Sequence, residues 1–182
     1  MSPPVIRSAT VADIPAITAI YRPAVLHGTA SFEIEPPDET EMRRRFETIT
    51  NGGYPYCAAE VSGRIAGYGY ASAYRTRPGY RFSVEDSIYV APDAHRRGVG
   101  RALLAALIAA CTERGYRQMV AVIGDSTQPA SIGLHRALGF TLSGTIHAVG
   151  FKHGRWLDTV IMQRPLGDGD RTPPSDFPVG RG

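Results

Sequence analysis

Lysine is nearly absent from this chain. Lys152 is the only one in 182 residues, and arginine supplies the remaining side-chain positive charge. The formal net charge is only +3, and no block of like charge exceeds Arg43-Arg44-Arg45. That triplet lies in a polar helical pattern and reads as a solvated face. A basic stripe interleaved with aromatics, the footprint of nucleic-acid binding, is missing. No nucleic-acid partner is expected, and scattered arginines suit small acidic molecules better. Cysteine is scarce too. Cys57 and Cys111 stand far apart in apolar contexts, without metal-ligand or redox spacing, and read as buried free thiols. No metal is expected. No apolar run approaches the roughly 18 residues of a membrane span. Met1-Ser2-Pro3-Pro4-Val5 has no basic-then-apolar leader pattern. A cytoplasmic location without a membrane partner is expected.

At 43% hydrophobic and this length, the chain can bury one full core. Val5-Ile6-Arg7 reads as a first strand. Thr10 and Asp13 then form a capping box ahead of a helix whose buried stripe is Ile14, Ile17 and Ile20, with Pro23 ending or bending it. Residues 38–50 form a polar helix stopped by Asn51-Gly52-Gly53. Strands at 56–61 and 65–74 join through the hairpin signal Ser62-Gly63. A strand at 82–91 leads into a glycine-bearing turn, followed by a helix over 98–113 closed by Gly115. Met119–Ile123 is an apolar strand suited to burial on both faces. A helix at 129–138 and two closing strands, 141–152 and 156–164, complete a domain spanning 1–165. The composition of 166–182 predicts a loose tail. The order β-α-α-β-β-β-α-β-α-β-β implies an α/β fold: a mixed sheet with helices on both faces.

The turn after the central strand is the most specific feature. His95-Arg96-Arg97-Gly98-Val99-Gly100-Arg101 follows Ser87-Ile88-Tyr89-Val90 and opens the helix beginning Ala102-Leu103-Leu104. The first N–H groups of a helix lack internal partners and carry partial positive charge. Glycines let a ligand oxygen approach the backbone. The arrangement suits a pyrophosphate. There is no G-x-x-x-x-G-K-[ST] loop, and the third glycine of a dinucleotide fingerprint is missing. This mid-chain placement points to coenzyme A.

The loop, its preceding strand and Ala130-Ser131-Ile132-Gly133-Leu134-His135-Arg136-Ala137-Leu138-Gly139-Phe140 resemble the GCN5-related N-acetyltransferases (GNAT) over residues 4–165. Three segments resemble the phosphinothricin and methionine sulfoximine acetyltransferase branch: Arg81–Val90, Val120–Gly124 and Val149–Asp158. The last is specific to that branch. Two departures stand out. His95 occupies a place usually held by Gln or Arg, and Gln128 replaces the Asn that holds the pantetheine arm.

The resemblance implies acetyl-CoA as co-substrate, a GNAT-type sheet with its phosphate loop after the central strand, and a homodimer. It implies a base at Glu85, for which an ion pair with Arg81 is the plain structural alternative. It places His135 where this branch has a histidine that either donates a proton to the departing sulfur or merely packs beside the cofactor. Ile88, Tyr89 and Val90 would pair with the pantetheine arm, with the Val90 N–H as oxyanion donor. Arg96, Arg97, Gly98, Val99, Gly100 and Arg101 would hold the pyrophosphate. The acceptor would meet Phe32, the loop residues Arg75, Thr76, Arg77 and Tyr80, and Glu85, Asp86 and Ser87. Arginine forks suit carboxylate and phosphinate oxygens. Lys152 and Trp156 read as structural or dimer contacts. The implied reaction is acetylation of the α-amine of a small amino-acid-like compound, a detoxification. Other acceptors (polyamine, aminoglycoside, protein N-terminus) and a non-catalytic acyl-CoA-binding module remain alternatives at this point.

Overall fold

The computed structural model describes residues 3–174 and 178. Seven strands form one sheet in the order β1-β2-β3-β4-β5-β7-β6. They are β1 (Val5–Ser8), β2 (Tyr56–Val61), β3 (Arg64–Ala73), β4 (Ser83–Val90), β5 (Gln118–Gly124), β6 (Thr141–Lys152) and β7 (Arg155–Pro165). The helices are α1 (Ile14–His27), α2 (Glu39–Asn51), α3 (Val99–Glu113) and α4 (Pro129–Ala137). Only β4 and β5 run parallel; every other neighbouring pair is antiparallel. The expected element order and mixed sheet are therefore observed.

Each face of the sheet carries its own core. On one face Ile14, Ile17, Ile20, Tyr21 and Val25 of α1 meet Met42 and Phe46 of α2 over Tyr56 and Tyr68. On the other, Val99, Leu103, Leu104, Leu107 and Cys111 of α3 cover Ala59, Ala66, Val84 and Met119. Both cysteines are buried and free. The hairpin turns Ser62-Gly63 and His153-Gly154 have φ of 52° and 74°, and 52° and 73°. Two successive positive φ values match the right-handed twist of the flanking strands.

Three expectations need revision. Asp13 does take the Thr10 N–H at 2.8 Å, but that box caps a short 3-10 turn, Val11–Asp13, ahead of α1. Pro23 does not end α1, which runs on to His27. Its apolar stripe continues to Val25, and that burial offsets much of the roughly 3 kcal/mol cost of an interior proline. The segment after Pro165 is not loose at its start. Leu166 is buried in the α3 core, its N–H bonds the Arg117 carbonyl at 2.9 Å, and Arg117 reaches Thr172 at 2.6 Å. Residues 175–177 and 179–182 of that tail lie outside the described residues. No helix among the described residues is long and apolar enough to cross a membrane.

Candidate active site

The site begins where two parallel strands part. β4 and β5 pair only from Ser83–Gln118 to Asp86–Ala121, although β4 continues to Val90 and β5 to Gly124. On its other edge β4 stays paired with β3 through Val90. The Ala91 N–H bonds Ala66 and the Tyr74 N–H bonds Ser83, so odd-numbered residues of β4 bond toward β3. By the antiparallel alternation, the N–H groups of Ile88 and Val90 face the gap. A fork with free backbone donors is thus built into the sheet at the carboxyl ends of its parallel strands, where open α/β sheets bind ligands.

The fork opens into a cleft of about 920 Å³ lined by Ile88, Tyr89 and Val90, by the glycine turn, and by Gln128, Leu134 and His135. The turn is shaped by two positive φ angles, 61° at Arg96 and 78° at Gly98. Gly98 is the N-cap of α3, and the first intrahelical bond is Ala102 N–H to the Gly98 carbonyl. The N–H groups of Val99, Gly100 and Arg101 therefore have no helix partner. Arg96, Gly98, Val99, Gly100 and Arg101 line the cleft. Arg97 is exposed beside it and is not among the lining residues. His95 acts differently from the arginines, because its Nε2 meets the Val90 carbonyl at 3.1 Å and ties the turn to the strand end. These groups fit a pantetheine arm laid along β4 and a pyrophosphate on α3.

The two faces of β4 carry different chemistry. Glu85 shares a face with Ser87 and Tyr89, and its backbone is paired with Ser72. Burial, then the charge of Asp86, pushes the Glu85 carboxyl up to about 7, against the opposing charge of Arg75. The expected alternative partner, Arg81, instead lies 4.6 Å over the Phe82 ring. Ser87 hydrogen-bonds Tyr70, whose hydroxyl burial pushes upward.

Asp86 points the other way, which corrects its grouping with the acceptor-binding residues. It is buried, and its Oδ2 lies 3.0 Å from His135 Nε2. His135 Nδ1 lies 2.8 Å from the Ser131 carbonyl. Burial pulls the imidazole down, but the hydrogen bond and charge of Asp86 and the Ser131 carbonyl outweigh it, and the net shift is upward.

Gln128 lines the cleft, with its Nε2 donating to Thr29 Oγ1 at 2.9 Å. Arg75, Thr76, Arg77 and Tyr80 sit together on the exposed β3–β4 connection, with Arg75 4.9 Å from the Tyr74 ring centroid. Phe32 comes from the α1–α2 connection and is seated on two glycines. A Cβ at Gly150 would lie 2.4 Å from its ring, and one at Gly124 2.9 Å.

Sequence reasoning missed what fixes that connection. Asp125 is buried, accepts from Thr29 and Thr127 at 2.9 and 2.7 Å, and is also bonded to Arg155. Burial alone would raise its carboxyl, but hydrogen bonds from Thr127, Arg155 and Thr29 hold it below the ordinary range. Lys152, only 4% exposed, donates to the Ser31 carbonyl at 2.7 Å, and burial lowers its ammonium against the charge of Glu33. The Tyr21 hydroxyl meets Ser31 at 2.7 Å and Glu33 at 3.0 Å. The turn residues Asp125-Ser126-Thr127 and the isolated lysine were the available signals, but Thr29 lies 96 positions from Asp125 and Ser31 lies 121 from Lys152.

Comparison with known proteins bears on the family and the fold. The family model for the acetyltransferase (GNAT) domain matches residues 6–161. A phosphinothricin N-acetyltransferase of Alcaligenes faecalis is 56% identical over 162 residues, covering 89% of this chain and 82% of that protein. An L-methionine sulfoximine/L-methionine sulfone acetyltransferase of Pseudomonas aeruginosa is 44% identical, covering 88% and 94%. Among solved structures, a GNAT superfamily phosphinothricin acetyltransferase from Sinorhizobium meliloti in complex with acetyl-CoA superposes with a TM-score of 0.95. Its sequence is 54% identical, with 98% of this chain and 96% of that chain covered.

Proposed function

This chain belongs to the GNAT acetyltransferases, and from that premise we propose that it is an acetyl-CoA-dependent N-acetyltransferase for the α-amine of a small amino-acid-like compound. Phosphinothricin, methionine sulfoximine and methionine sulfone are the acceptors, and detoxification is the role. The observation that carries this reading is the fork between β4 and β5, with a raised carboxyl on one face and a histidine on the other.

The co-substrate supplies an activated thioester. The chain supplies position and proton handling. Ile88 and Val90 offer strand-like bonds to the pantetheine arm, with the carbonyl of Gln128 as a further acceptor. The N–H groups of 99–101, with Arg96, Arg97 and Arg101, hold the pyrophosphate. Amino-acid amines are protonated at neutral pH, so a base is needed. Glu85, poised near 7, takes a proton from the ammonium. The Val90 N–H donates to the carbonyl oxygen as negative charge develops there. His135 gives a proton to the departing sulfur. Arg75 and Arg77 supply forks for the acceptor's carboxylate or phosphinate, and Phe32 forms an apolar wall. That basic loop disfavours polyamine and aminoglycoside acceptors by like-charge repulsion.

A homodimer is part of the proposal. The outer strand β6 and its neighbour β7 expose Leu142, Ile146, Val149, Phe151 and Trp156 on the sheet edge. An exposed apolar patch on an edge strand favours a second copy. A cytoplasmic setting suits the two free thiols.

The test is release of free thiol from acetyl-CoA with a panel of phosphinothricin, methionine sulfoximine, methionine sulfone, spermidine and kanamycin. Turnover confined to the amino-acid analogues supports the reading. Turnover with spermidine or kanamycin alone overturns the acceptor class. Silence across the panel with acetyl-CoA still bound favours a binding module.

A further inference from the structure

Asp86 lies at the base of the fork with its hydrogen bonding incomplete. It is the last residue of β4 paired to β5, and its side chain is 2% exposed. Oδ2 is engaged by His135, while Oδ1 has no hydrogen-bond partner among the described residues. A buried unpaired acceptor is costly, so its presence beside the cleft asks for a reason.

The ring it touches is fully engaged. The Ser131 carbonyl can only accept, so His135 Nδ1 carries a hydrogen. With Asp86 ionised, its carboxylate also accepts, so Nε2 carries a second hydrogen. An imidazole donating from both nitrogens is the imidazolium. Phe140 closes the site edge-on, with ring centroids 5.0 Å apart. Of the other titratable groups, Cys111 faces Asp86 from α3, with its thiol pushed up to about 12 by burial. Glu85 acts on Asp86 from the opposite face of β4. Neither supplies a positive charge that could replace His135 as partner to the Asp86 anion.

We propose that Asp86 is a positioning residue for acyl transfer: it holds His135 as an imidazolium at the fork, so that a proton is in place for the leaving sulfur. The proposal rests on the reading of His135 as the acid. The acceptor nitrogen forms the C–N bond, and the C–S bond breaks with its electron pair on sulfur. The Nε2 proton moves to that sulfur. The amine proton leaves through Glu85 to solvent. His135 is then neutral beside a buried anion, which draws a proton back from solvent and resets the pair.

The decisive experiment is an NMR titration of the His135 ring in wild type and Asp86→Asn, alongside the pH profile of kcat at saturating substrates. In wild type the ring titrates above the ordinary imidazole value. In D86N its midpoint falls by about 1–3 units, the range an adjacent opposite charge commands. The alkaline limb of kcat falls with it, while the KM for acetyl-CoA changes little. Asp86→Glu, which retains the charge, restores part of the shift. An unmoved midpoint, or a lower melting temperature with an unmoved alkaline limb, makes the pair merely structural and overturns the proposal. If D86N does not fold, wild type decides alone: a His135 ring that titrates at or below the ordinary imidazole value refutes it. His135→Gln separates the two readings. Full kcat with an unchanged alkaline limb there removes the acid role, whatever Asp86 does to the ring.

Discussion

Replacing Glu85 by Gln removes the ionisable group from the acceptor face of β4 while keeping the side chain's length and shape. If Glu85 is the base, E85Q lowers kcat by about 10²–10⁴, the usual contribution of general-base catalysis, with the KM for acetyl-CoA nearly unchanged. In wild type, kcat/KM falls as pH drops through about 7, where the carboxyl takes up its proton. The same shift makes a second, independent demand. The folded-state value lies above the ordinary 4.5, so between those two points the folded chain holds a proton that the unfolded chain has lost. Stability is full below 4.5 and declines until pH passes 7. At roughly 1.4 kcal/mol per unit the ceiling is about 3 kcal/mol, and partial exposure reduces it to about 1–2 kcal/mol. E85Q removes that decline, so it is slow yet gains on wild type in thermal melts as pH rises from 5 to 8. Thiol release and melting curves across that range read both effects. Full activity in E85Q, or a kcat/KM flat from pH 6 to 8, refutes the assignment. Identical pH dependence of the two melting temperatures refutes the burial argument.

Arg75→Met removes the cation opposing that shift, so the acid limb of kcat/KM moves to higher pH, and the KM for the acceptor rises more than that for acetyl-CoA. Gly150→Ala places a methyl group 2.4 Å from Phe32. Overpacking of this kind costs about 1–3 kcal/mol and displaces the acceptor wall, readable as a lower melting temperature and a raised acceptor KM. Asp13, held down to about 2 by the Arg7 hydrogen bond against burial, adds stability above its ordinary value of 3.8 that is lost as pH falls toward 2. Asp13→Asn leaves Arg7 without its bidentate partner and costs about 1–3 kcal/mol in urea unfolding at pH 7, and that difference shrinks at pH 3. Phe151→Asp puts a charge on the exposed edge patch and yields a monomer by light scattering; an unchanged mass refutes the assignment of that face.

Much of the fold was legible because its signals are local. Ser62-Gly63 and His153-Gly154 each offer a glycine that takes the positive φ a tight hairpin needs. The glycine turn followed by Ala102-Leu103-Leu104 announced a helix N-terminus whose first amides have no partner. Pro23 misled because its local cost is visible in the sequence, while the burial of Val25 that offsets it is not. Leu166 misled for a related reason: one apolar residue ahead of a polar tail gives no sign that the α3 core will receive it. At the site, Glu85 and Ser87 share a face by strand period alone. Asp86, one residue on, was grouped with them although the same period places it on the opposite face, and its partner His135 lies 49 positions away.

Residue order by itself determined the succession of strands and helices, the phosphate-binding turn and the acyl-transfer chemistry that its motifs resemble. These rest on spacing within a few residues, where backbone geometry leaves few choices. Tertiary structure alone decided where β4 and β5 part, that burial and Asp86 lift Glu85 toward neutrality, and that His135 is held by Asp86 and Ser131. It also decided that Asp125 and Lys152 brace the connection carrying Phe32. Desolvation, charge pairing and hydrogen-bond saturation depend on distances between groups far apart in the chain, and those distances come into being only when the sheet is assembled.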